Sequence, residues 1–147
     1  MTETNEEKNQ TAQDVRLMGI DFGSKRVGVA LSDPSRKFAL PLSVIENGPE
    51  LLAEVVKVAK DNGVKEIILG ESRDYKGMPN EIFIDSLEFK DKLEASGFSV
   101  IFEPEFMTSV QAERFQGKTD LTDASAAALI LQSYLDKVSN QTAAPLS

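Results

Sequence analysis

Apolar and polar positions change rhythm partway along the chain. Residues 15–21 (VRLMGID) form a short apolar run that ends in an acid and predict a first strand. Residues 22–26 (FGSKR) read as a turn, with Gly23 free to take a positive φ. A second strand follows at 27–32 (VGVALS), a turn at Asp33-Pro34-Ser35, and a third strand at 38–45 (FALPLSVI). Pro41 cannot donate a ladder hydrogen bond, so the third strand belongs at a sheet edge or carries a bulge. Tight turns between three strands make an antiparallel meander.

The period then becomes helical. Leu51, Leu52, Val55, Val58 and Ala59 mark a stripe over 50–61, closed by Asn62-Gly63. Residues 64–70 (VKEIILG) predict a strand whose unbroken apolar centre suits a sheet interior. A polar loop (71–79) leads to a helix over 80–96 that stops at Gly97, and then to a fifth strand at 98–102 (FSVIF). A short helix is expected over 108–116 and a last one over 122–137, where small residues permit close approach to a sheet. The string βββαβαβα gives an α/β domain. Its five-stranded mixed sheet has the first three strands antiparallel, the fourth and fifth parallel, and helices on its faces. The domain is placed at 15–138, between an acidic disordered tail (1–14) and a flexible C-terminal tail (139–147).

Composition narrows the chemistry. The 147 residues contain no His and no Cys. A disulfide framework, a thiol nucleophile, a His-based triad and imidazole or thiolate metal sites are all excluded. Carboxylates, Lys, hydroxyls, backbone amides and oxygen-ligated metals remain. No apolar run approaches the ~20 residues that span a bilayer, and the polar start is unlike a secretory signal, so the expected location is the cytoplasm. The net charge of −8 argues against a polyanionic partner, but it falls to −5 without the 1–14 tail. Lys25-Arg26, Arg36-Lys37 and Arg73 with Lys76 form local basic groups, whose field outweighs the global sign if they line one cleft.

Asp21 ends an apolar strand, where a carboxylate is costly unless paired. Asp120 and Asp123 open the last helix. They would either cap its free amides or, spaced i and i+3, offer carboxylates to a cation shared with Asp21. Glu71, after the fourth strand, and Glu105, after the fifth, compete for a third position, whereas Glu103 reads as a solvated strand end. Converging carboxylates repel one another unless a hard cation such as Mg²⁺ or Mn²⁺ joins them. A metal pair held this way supports in-line hydrolysis of a phosphodiester.

The string GIDFGSKRVGVALSD at 19–33 resembles the opening motif of the YqgF-type (RuvX) nuclease family, which has a ribonuclease H-like fold. Residues 108–113 (TSVQAE) resemble that family's segment after its fifth strand, and 123–135 (DASAAALILQSYL) resemble its final helix. The resemblance implies a metal-dependent nuclease that processes the 5′ end of precursor 16S ribosomal RNA. The family has also been described as Holliday-junction resolvases, acting on branched DNA. By motif, Asp21, Glu105 and Asp123 are the implied catalytic acids and Mg²⁺ or Mn²⁺ ligands, with Glu71 a further catalytic candidate. Lys25, Arg26, Arg73 and Lys76 are the candidate nucleic-acid contacts. Pro104 and Phe106 stand where the family has Asp and Arg beside the glutamate, and the loop after Leu69 lacks the usual apolar-Pro pair. These departures motivate a rival reading as a catalytically weak RNA-binding relative. The Asp-x-Gly hairpin also resembles phosphate loops of sugar kinases and actin-like ATPases, but those need a second loop and a second lobe. A monomer and a homodimer are both compatible with the sequence.

Overall fold

The computed structural model describes residues 16–72, 81–105 and 120–143. Five strands build one sheet: β1 (Leu17–Phe22), β2 (Arg26–Ser32), β3 (Ala39–Glu46), β4 (Glu66–Ser72) and β5 (Ser99–Glu105). Three helices flank it: α1 (Leu51–Asp61), α2 (Glu81–Ala95) and α3 (Asp120–Ala143). The strand order is β3-β2-β1-β4-β5. β1, β2 and β3 pair antiparallel, while β4 pairs parallel with both β1 and β5. The expected meander and parallel pair are therefore present. Pro41 lies on edge strand β3, and the β2–β3 register shifts beside it, between Val29 and Ala30. The expected helix over 108–116 lies outside the described residues.

Strand alternation divides the core in two. Met18, Ile20 and Phe22 of β1, Val27, Val29 and Leu31 of β2, and Ile67 and Leu69 of β4 face α1 and α2, where Leu51, Val55, Phe89 and Leu93 are buried. Leu17, Ala30 and Ile68 face the other way, onto Ala127, Ile130, Leu131 and Leu135 of α3. The sheet is thus sandwiched between α1/α2 and α3.

Two glycines set the clearance under α3. A Cβ on Gly19 would meet Leu131 Cβ at 2.7 Å and the Ala127 carbonyl at 2.8 Å. A Cβ on Gly28 would lie 2.0 Å from the Asp123 carbonyl oxygen. The helix backbone therefore rests directly on the sheet along this row. The helix also begins at Asp120, not two residues later, and continues to Ala143. The sequence reading ended it at 137 and began a flexible tail at 139. No Pro or Gly occurs before Pro145, so nothing stops the helix at 138. β5 likewise extends beyond its expected end at 102, to Glu105.

Gly23 does not use its freedom to take a positive φ. Only Gly63 and Gly97 have positive φ among the described glycines. A Cβ on Gly23 would stand 2.6 Å from the Arg26 carbonyl oxygen, so the position requires space and not a left-handed backbone.

The β2–β3 turn is organised by Asp33. Its Oδ1 accepts the amides of Lys37 (2.8 Å) and Phe38 (2.9 Å), its Oδ2 accepts the Ser35 hydroxyl, and Arg36 takes a left-handed φ of 61°. The Phe38 amide first, then the Ser35 hydroxyl and the Lys37 amide, hold the Asp33 carboxyl down to about 2. A depressed carboxyl stabilises the fold above its unfolded pKa and loses that contribution as pH falls through its folded value. The turn should therefore be fully supported above about pH 4 and released as pH approaches 2. In an NMR titration, the Lys37 and Phe38 amide shifts should report a midpoint near 2; a midpoint near 4 would contradict this geometry.

The clearance under α3 makes a second prediction. Gly28→Ala should destabilise the fold by about 2 kcal/mol or more, because the helix must lift or tilt. Gly48→Ala meets nothing within 4 Å and should stay within about 0.5 kcal/mol of wild type. Urea denaturation of the two variants checks both values.

Candidate active site

The face of the sheet under the start of α3 carries Asp21. It shares strand parity with Leu17 and Gly19, both of which face α3, and it is half-buried. Across the ladder Asp21 pairs with Gly28. Paired Cα atoms in such a ladder are ~4.5–5.5 Å apart and send their side chains to the same face. The Asp123 carbonyl sits where a Gly28 Cβ would be. The start of α3 thus lies over the strand pair that carries Asp21, with the Asp123 backbone against the ladder partner of Asp21.

The Asp123 side chain is 14% exposed, and Arg26 Nε stands 2.9 Å from its Oδ2. The contact is an ion pair without hydrogen-bond alignment: Oδ2 is buried and accepts no hydrogen bond among the described residues. The Arg26 guanidinium lies against Asp123, on the α3 face that Arg26 shares with Gly28 by parity. Lys25 is exposed in the turn between β1 and β2.

That turn has a support that sequence reasoning missed. Asn47 Nδ2 donates to the Gly23 carbonyl at 2.8 Å, and the Asn47 amide donates to the Lys25 carbonyl at 2.9 Å. Asn47 thereby ties the loop carrying Lys25 and Arg26 to the end of β3. The only signal in the chain was an Asn ahead of Gly48-Pro49, which reads as an ordinary turn residue.

The remaining acids separate. Glu71 pairs in register with Pro104 and shares parity with Ile67 and Leu69, which face α1 and α2. Its strand position is therefore on the face opposite Asp21. Glu105 is the last residue of β5, and its side chain lies outside the described residues, as do the side chain of Asp120 and all of Arg73 and Lys76. Among the described residues, no three Asp or Glu side chains group as a metal site.

Glu103 overturns its reading as a solvated strand end. It is 3% exposed, accepts the Ser133 hydroxyl at 2.8 Å and pairs with Lys137 Nζ at 2.7 Å. A carboxylate this buried is tolerable only with such partners. It fastens β5 to α3, about 15 Å along the helix from Asp123. On the opposite edge, Gln132 accepts the Ala39 amide (2.8 Å) and donates to the Lys37 carbonyl (3.0 Å).

The donor set fits a hard divalent cation in its chemistry. Asp21 and Asp123 offer carboxylate oxygens from one face, and the buried Asp123 Oδ2 has an acceptor capacity that no described hydrogen bond uses. No described helix is long and apolar enough to cross a membrane.

Comparison with known proteins agrees with the motifs. A protein of Sulfurihydrogenibium sp. (strain YO3AOP1) named "Putative pre-16S rRNA nuclease" is 32% identical over 133 residues, covering 84% of this chain and 92% of that protein. A protein of the same name from Desulforudis audaxviator (strain MP104C) is 35% identical over 133 residues, covering 83% and 94%. Thermus thermophilus RuvC, solved in complex with a Holliday junction substrate, shares the fold at a TM-score of 0.51 and 15% identity, covering 84% of this chain and 96% of that one. The likeness is one of fold alone, the ribonuclease H-like arrangement of a five-stranded mixed sheet flanked by helices. The profile of the RuvX family, described as Holliday junction resolvase, matches residues 15–137, and the chain belongs to that family.

Proposed function

We propose that this protein is a metal-dependent nuclease that hydrolyses phosphodiester bonds, with the 5′ end of precursor 16S ribosomal RNA as its substrate. The observation that supports the reading is the Asp123 backbone resting on Gly28, the ladder partner of Asp21, in a chain with neither His nor Cys to offer another route. Membership of the RuvX family and the names of its relatives support the same reading.

In this reading Asp21 and Asp123 hold Mg²⁺ or Mn²⁺, with Glu105 as the third acid. Glu71 is the weaker candidate, since its strand position is on the other face. The bound ion supplies water activation and charge stabilisation at the scissile phosphate. Asp21 is held by the β1–β2 ladder and Asp123 by helix packing, so neither carboxylate has to be ordered on substrate binding. Lys25 is in reach of solvent beside the site and suits a phosphate contact. Such a substrate places the protein in the cytoplasm.

A second reading, cleavage of branched DNA, is favoured by the family's description as Holliday junction resolvase. The two differ in symmetry. A four-way junction suits a homodimer with two sites, whereas an RNA end needs one site on a monomer. The altered Pro104-Glu105-Phe106 element favours a catalytically weak RNA-binding relative.

Cleavage of a precursor-rRNA 5′ leader and of a four-way junction, side by side with Mn²⁺, tests these readings. The leader should be cut, and Asp21→Asn and Asp123→Asn should each lower the rate about 10²–10³-fold while circular dichroism stays native. Undiminished cleavage by either variant would remove the two-carboxylate site. Preferential cutting of the junction would select the second reading, and RNA binding without cleavage the weak relative.

A further inference from the structure

We propose that Arg26 is a built-in counter-ion for Asp123, which holds the carboxylate in the cation-free protein and competes with a divalent cation for it. The inference rests on the metal-dependent reading above and adds a role for Arg26 within that site.

Asp123 is needed close to Asp21, and two carboxylates brought together in a partly desolvated place repel each other. Arg26 supplies the opposing charge from within the chain. It lies two residues before Gly28 on β2, so strand parity sends it to the same face as α3, and Asn47 fixes the turn that delivers it.

The form of the pair matters as much as its presence. A permanent Arg–carboxylate bridge is commonly bidentate, with two aligned N–H donors. Here Nε approaches one oxygen at 2.9 Å, and that oxygen accepts no hydrogen bond. The Arg26 side chain is 44% exposed and that of Asp123 14% exposed, so the guanidinium is the partner open to water. Such a contact neutralises Asp123 without locking it. Once displaced, the guanidinium remains at the mouth of the site, where a phosphate beside the ion would meet it.

Competition has a sign opposite to that of simple anchoring. If Arg26 only pinned the start of α3, its loss would loosen Asp123 and weaken cation binding. If it competes, its loss strengthens cation binding. The test is a Mn²⁺ titration of the full chain without nucleic acid, followed by the electron paramagnetic resonance of free Mn²⁺. Wild type, Arg26→Gln, Lys25→Gln and Asp123→Asn are compared. Arg26→Gln should bind Mn²⁺ about fivefold tighter than wild type, the scale of competition that a partly exposed ion pair supports. Lys25→Gln, which removes the same charge from the neighbouring turn position, should change affinity less than twofold. Asp123→Asn should abolish the site. Arg26→Met, which keeps the aliphatic stem, carries the same expectation should Arg26→Gln not fold.

Unchanged or weaker Mn²⁺ binding by the Arg26 variants, with binding still dependent on Asp123, would overturn the competition and leave the metal site standing. An equal gain in Lys25→Gln would reduce the effect to the general field and overturn it too. Absence of Asp123-dependent Mn²⁺ binding in wild type and the Arg26 variants alike would remove both the inference and the metal reading.

Discussion

The close approach of α3 to the sheet is the constraint on which the rest depends. A helix backbone can lie against strands this tightly only where the strands present no side chain, and Gly19 and Gly28 open that row. Ala124, Ala127 and Leu131 then seal it against water. Because Asp123 occupies the first turns of the same helix, the packing that closes the core also sets the height of the carboxylate above β1 and β2. A larger residue at position 28 would act on the core and on the site together, through one displacement.

Polar contacts define the helix along its remaining freedom. Packing on a glycine row fixes its distance from the sheet but resists sliding and rotation less. Gln132 bonds it to the β3 side, and the buried Glu103 bonds it to β5 through Ser133 and Lys137. These attachments lie on different sides of the helix and at different heights. Together they restrict translation and rotation in a way that no apolar interface does alone, since apolar contact is non-directional. Each is charged or part-buried, so its energy depends on keeping its geometry.

Most of the architecture was legible because local signals agreed with one another. The alternation over 15–45, Pro41 and the unbroken apolar centre of β4 each predicted a sheet position, and each strand occupies it. The boundaries were harder. α3 runs past its expected end because no Gly or Pro halts it, and β5 extends because Glu103 finds partners on a helix thirty residues later, which no local pattern encodes. The same reasoning explains the site. Asp21 and Asp123 were visible as acids against apolar surroundings. Arg26 was visible as a charge, but its partner was not, since Asp123 is distant in sequence. Glu71 and Glu105 could not be separated from sequence because both follow strands; the register places Glu71 on the face away from α3. Asn47 was invisible because its role consists of two backbone contacts.

The absence of His and Cys gives these placements their weight. An imidazole tunes its own proton affinity near neutral pH and tolerates some latitude in position. A carboxylate is ionised throughout that range, so what it offers is charge at a point. Its usefulness then depends on where it is held and on which cation answers it. In this fold both are set by packing: a ladder holds Asp21, a glycine row with the Gln132 and Glu103 attachments holds the helix that carries Asp123, and a charge within the chain that meets Asp123 is Arg26. Chemistry carried by oxygen donors alone therefore demands a rigid framework, and α3 resting on the sheet provides it.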